Sequence, residues 1–167
     1  MKDTQEAALA VLGSTPAIVR SLLTGLPAEI VTAKLDRDWS MRMTLEHFVD
    51  VDPVYLARLQ RIVEEDQPSI ESIDVMARMA EDRYAGRSTE SLLGEFATHR
   101  AKACAWIRTL TDQQLSRVMQ HDTAGELTAS NLLHYWPYHD LAHLRGIQRM
   151  IQAILAHEMG DVENMDV

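Results

Sequence analysis

Apolar residues recur at helical spacing along four stretches of the chain. In the first, from about residue 4 to 26, Leu9, Leu12, Pro16, Val19, Leu23 and Leu26 fall three or four positions apart, with Gly13–Pro16 placed to interrupt the helix midway. The second, about 40–65, carries Leu45, Phe48, Tyr55, Leu59 and Ile62 and opens on Ser40, a capping residue type that follows Trp39. Pro53 lies inside it and cannot donate to the Val49 carbonyl, which predicts a kink or a restart. The third runs from Ser88 to about Leu110 through Leu92, Phe96, Ala103 and Ile107. The fourth starts after Thr128, a second good cap, and ends near His157.

The connections are more polar. Residues 66–87 form the longest, and "IDVMARMAEDRYAG" within it predicts a short helix capped by Asp74 and stopped by Gly86. "QHDTAGEL" reads as a polar turn region, and the acidic end, residues 158–167, is expected to fray. Four long helices predict an all-α four-helix bundle in one domain over residues 1–167. The long link between the second and third helices leaves room for a crossover.

Composition narrows the function classes. The net charge is −9 and no run of Lys or Arg could follow a phosphate backbone, which disfavours nucleic acid and anionic membrane surfaces as partners. No uninterrupted apolar run approaches a membrane span, and no signal-peptide core opens the chain. The single cysteine, Cys104, cannot form an internal disulfide, so a reducing, cytoplasmic setting is expected and the thiol is read as a small core residue. Leu56 and Val63, off the main stripe of the second helix, suggest an exposed apolar surface and a homodimer.

The candidate chemistry lies in "HYWPYHDLAHLRGI", residues 134–147. On an ideal helix His139 and His143 are about 40° and one turn apart, so both imidazoles can reach one ion. Leu132, Trp136, Met150 and Ile154 share their side of the helix, which turns the pair toward the core. Two buried imidazoles need partners for four ring nitrogens; hydrogen-bonded neighbours or a metal could supply them. A third ligand could come from His47, His99 or His121. His134 lies about 140° round the helix from His139, and His157 about 27 Å along it. On periodicity His47 could face a cleft or solvent.

Other residues have narrower roles. Asp50, one turn from His47, could orient a ligand, join it, or act as a catalytic base. Asp140 is placed to accept an imidazole N–H, while Glu46 should face solvent. Arg100 could bind an anionic group of a substrate or form an ordinary salt bridge.

"DRDWSMRMTLEHFVDVD", "FATHR" and "GELTASNLLHYWPYHDLAHLRGI" occur in the order found in the DinB-like superfamily of helical metalloproteins, which the chain resembles from "STPAIVRSLLTGLPAEI" onward. The resemblance implies a divalent metal, zinc or nickel, held by His47, His139 and His143. It also implies thiol-dependent transferase or isomerase chemistry on a small molecule with a low-molecular-weight thiol. The family pattern does not call for Pro53 and Pro137 beside the ligand positions. Two alternatives stay open: a hydrolase that activates water at the metal, and a non-catalytic bundle that binds a metal or small ligand.

Overall fold

The computed structural model describes residues 2–34, 39–80 and 83–159. Four long helices dominate: α1 (Lys2–Leu23), α3 (Met41–Glu64), α5 (Thr89–Ile107) and α7 (Ala129–Met159). Between them lie three short helices, α2 (Ala28–Thr32), α4 (Val75–Ala80) and α6 (Asp112–Leu115), and three strands, β1 (Ser69–Ile70), β2 (Val118–His121) and β3 (Gly125–Thr128).

Local chemistry starts the helices where the sequence indicates. Ser40, Ser88 and Thr128 accept the backbone N–H of Met43, Ser91 and Asn131, each at 3.1 Å, satisfying donors that have no intrahelical partner. Asp74 does the same for Ala77 at 2.9 Å, ahead of α4. Gly86, with φ +73, takes the left-handed backbone before α5 that other residues adopt at a cost.

The helices do not break at their prolines: α1 continues through Pro16, and α3 runs on through Pro53 without a restart. At Pro16 the reason is visible. The Leu12 carbonyl that the proline cannot satisfy accepts from Arg100 Nη1 at 3.1 Å. The first helix also ends earlier than expected, and Leu26 follows it in a turn before α2.

Packing neighbours run α1–α5–α3–α7 and back to α1. Arg42 meets Thr89, Phe48 stacks on Phe96 and Asp52 pairs with Arg100, so α3 and α5 are parallel. Parallel neighbours need a long return, which residues 65–88 supply as a crossover. Helix α7 runs antiparallel to α3, with His47 against His143 and Tyr55 against Trp136. One apolar cluster gathers Leu12, Tyr55, Leu59, Ile107 and Trp136; another gathers Val19, Leu45, Phe48, Phe96 and Ile147.

Several expectations need correction. "QHDTAGEL" is a β-hairpin rather than a polar turn: β2 and β3 pair antiparallel from Val118↔Thr128 to His121↔Gly125. Strand β1 adds in parallel to β2, pairing Ile70 with His121 and tying the crossover to the hairpin. Leu56 is core and Val63 half-buried, so α3 does not offer the apolar surface proposed for a dimer. The exposed apolar residues of α7 are Tyr135, Tyr138, Leu141, Leu155 and Met159. Helix α1 is long and apolar enough to cross a membrane by length and composition, yet Leu12, Val19 and Leu23 bury one face in the bundle. The expected fraying concerns residues 158–167, of which 160–167 lie outside the described residues.

Candidate metal centre

His47 sits two turns into α3, while His139 and His143 occupy successive turns of α7. Because these helices are adjacent and antiparallel, the three imidazoles converge. His139 Nε2 lies 3.0 Å from His47 Nε2 and 3.1 Å from His143 Nε2. Nitrogens bound at about 2 Å around one tetrahedral ion stand only slightly farther apart, at about 3.3 Å. Among the described residues, these three are the group whose ligand atoms all fall within 4.8 Å of one another.

Aromatic rings fix the imidazoles in place. Trp39 stacks on His143 at 5.6 Å and meets His47 edge-on at 5.0 Å. Phe48 abuts His143, and Tyr55 abuts His139 at 5.5 Å. Burial, joined by repulsion from the other imidazoles, lowers the pKa of His47 to about 3 and of His143 to about 4. Both rings are therefore neutral at pH 7 and can offer a nitrogen lone pair to a metal. The Nδ1 atoms of His47 and His139 are buried without a hydrogen-bond partner among the described residues. A donor set of neutral imidazoles suits a borderline divalent cation.

The imidazoles open onto a cavity of about 730 Å³. Val51, Ile73, Val75, Met119, Leu127 and Leu132 make its wall apolar. Its polar lining comes from Tyr55, Arg58, Ser72, His121, Asn131 and Tyr135, and no Asp or Glu among the described residues lines it. Burial raises the pKa of the Tyr55 hydroxyl and keeps it protonated as a donor.

The other candidates lie elsewhere. Asp50 points away from the imidazoles and is held by Arg78 at 2.6 Å and Arg83 at 3.0 Å, with Tyr84 beside them. Its geometry is that of an ion-pair hub and not of a ligand or base in the cavity. Arg100 is 1% exposed, between Asp52 at 2.7 Å and Asp140, so its guanidinium is committed to the core and does not line the histidine cavity. Burial opposes its charge, but the two carboxylates outweigh that and hold it protonated. Trp136 Nε1 completes the network by donating to Asp52 at 3.2 Å.

Asp140 Oδ1 stands 4.0 Å from His139 Nδ1, beyond hydrogen-bond length. His134 Nδ1 sits 2.7 Å from the Ser130 carbonyl on the outer face of α7. His99 approaches Glu95 at 3.7 Å, and His157 is exposed. Glu46 is half-buried against Arg42, at 2.7 Å, instead of facing solvent. Cys104 is buried, which raises its thiol pKa and leaves it inert.

Sequence reasoning passed over Trp39, Tyr55, Arg58 and Tyr135. Helical phase carries a signal for two of them: Arg58 is eleven residues after His47, about 20° round the helix, and Tyr135 is one turn before His139. His121, read as a turn residue, lines the cavity from β2.

Comparison with known proteins matches this chain by sequence and by fold to others. The family model of the DinB superfamily covers residues 12–147. A Bacillus subtilis (strain 168) protein named "Putative metal-dependent hydrolase YfiT" is 27% identical over 156 residues, spanning 89% of this chain and 86% of that one. The solved structure of YfiT from Bacillus subtilis superimposes with a TM-score of 0.85 at 22% identity, over 92% of this chain and 89% of that one. It is described as a "probable metal-dependent hydrolase with an unusual four-helix bundle topology".

Proposed function

This chain belongs to the DinB superfamily, and on that premise we propose that it is a metal-dependent enzyme in which His47, His139 and His143 hold one divalent cation beside the substrate cavity. The convergence of three Nε2 atoms, with pair distances of 3.0 and 3.1 Å, carries this reading. Zinc or nickel suits an all-imidazole donor set. Bound there, the ion would supply Lewis acidity toward an electrophile or an anionic nucleophile. Three protein donors, unlike the four that usually close a structural site, leave a position for a ligand from the cavity.

The protein's own residues favour transfer to or from a thiol. Carboxylate-assisted hydrolysis finds no base, since no Asp or Glu among the described residues lines the cavity; His121 is the lining side chain left to take a proton from water. A thiol, with a pKa near 8.5 before any metal contact, needs no base in the cavity to become a thiolate on the ion. The apolar wall lowers the polarity around the reacting pair, and Trp39 and Tyr55 hold the imidazoles in register. Hydrolysis is the second reading, favoured by the printed name of the Bacillus subtilis relative.

Metal analysis of the purified protein, paired with turnover of electrophilic substrates with and without a low-molecular-weight thiol, tests both. One metal per chain and thiol-dependent turnover support transfer. Turnover that needs metal but no thiol supports hydrolysis, and a protein that takes up no metal refutes both.

A further inference from the structure

The cavity is asymmetric in charge. Arg58 lies eleven residues after His47 on α3, about 16 Å along the axis, and Asn131 lies eight residues before His139 on antiparallel α7, about 12 Å in the same direction. Both line the cavity at a distance from the imidazoles. Side chains on a helix lean toward its N-terminus, which swings the Arg58 guanidinium back toward the histidines.

Arg58 is half-buried, and its Nη2 donates to the Glu71 carbonyl. Among the described residues it forms no ion pair. Asp122 lies close enough to favour its charge but is not in contact with it, and those carboxylate oxygens accept from Ser72, through N at 2.9 Å and Oγ at 2.7 Å. A chain with 25 acidic residues thus places none of its described ones on the wall of this cavity, and lines that wall with one arginine. A partly desolvated guanidinium with no carboxylate in direct contact has donors to spare, and a planar carboxylate matches its paired donors.

We propose that Arg58 is the anion subsite of the cavity, pairing with the carboxylate of a small acid whose other end, a thiol or similar electron-rich group, reaches the imidazoles. The subsite rests on the functional reading above for that second contact, whereas the carboxylate contact stands by itself.

Calorimetric titration of the zinc-loaded protein with 6-mercaptohexanoate and with 6-mercaptohexan-1-ol separates the two. Wild-type protein should bind the acid about tenfold more tightly than the alcohol, as expected for a hydrogen bond to a charged group. Arg58→Gln should bring the acid down to the alcohol's affinity, with zinc content and alcohol binding unchanged, and Arg58→Lys should restore part of the preference. In metal-free wild-type protein both affinities should fall while the acid remains preferred. Equal affinities in the wild type, no binding of the acid, or a preference that survives Arg58→Gln overturns the subsite. A protein that takes up no zinc but prefers the acid through Arg58 overturns the metal reading and leaves the subsite standing.

Discussion

Arg100 donates from Nη1 to the Leu12 carbonyl at 3.1 Å, the acceptor that Pro16 leaves without its helical partner. The same guanidinium pairs with Asp52 and Asp140, so one side chain joins α1, α3, α5 and α7. Removing it would strand two buried carboxylates and a carbonyl. Arg100→Met should therefore cost about 3–5 kcal/mol, read from urea unfolding of the metal-free protein. A loss below about 1 kcal/mol would show that the network does not hold the helices together.

Metal content should follow the three Nε2 atoms. His47→Ala, His139→Ala and His143→Ala should each lose most bound metal by elemental analysis, and metal-dependent turnover should fall with it. His134→Ala, which changes a ring held at the Ser130 carbonyl, should keep wild-type stoichiometry. The reverse pattern would refute the ligand set.

Acid should destabilise the metal-free fold through the same histidines. Their folded pKa values, about 3 for His47 and about 4 for His143, lie below the ordinary 6.5 because of burial first and imidazole repulsion second. Between about pH 6.5 and 4 the unfolded chain takes up two protons that the folded chain does not. Stability is then full above pH 6.5 and falls on acidification by about 1.4 kcal/mol per pH unit for each histidine. Urea midpoints at pH 7.5, 6 and 5 should show this slope. The double variant His47→Gln/His143→Gln should lose it, and an unchanged slope there would reject the assignment.

The cap of α3 should matter to stability more than to stoichiometry. Ser40→Ala removes the acceptor of the Met43 N–H and should cost about 1 kcal/mol. Metal content should stay at the wild-type value, because His47 lies two turns farther along and packs against Trp39, His139 and His143.

Much of this architecture is legible in the sequence. The four helices follow from apolar spacing, and their starts from Ser40, Ser88 and Thr128, since a capping hydroxyl acts within three residues of itself. The sheet is not legible: β1 has two residues and β2 and β3 four each, too few for alternation to show, and β1 pairs with β2 across 51 positions. His139 and His143 are suggested as a pair by their spacing. Periodicity left His47 undecided between cleft and solvent, and the family resemblance pointed to it. Asp50 misleads because its partners Arg78 and Arg83 come from the crossover, which helical phase cannot foresee. Arg100 misleads for a related reason: phase indicates which side a charge faces, and not whether Asp52 and Asp140 await it there.

The crossover between α3 and α5 has a consequence for how such a protein can diversify. It contributes Ser72, Ile73 and Val75 to the cavity wall and is fastened by the β1–β2 pairing, by Ser72 on Asp122 and by Arg78 on Asp50, while the imidazoles stand on helices packed by their own cores. The tolerance of the chain is therefore divided. Ile73 and Val75 can be exchanged to admit a different guest without touching the ion-holding helices, whereas Ser72 and Asp74 carry the fastenings of the segment. Exchange at those two wall positions is accordingly a route to new specificity that leaves the histidines in place.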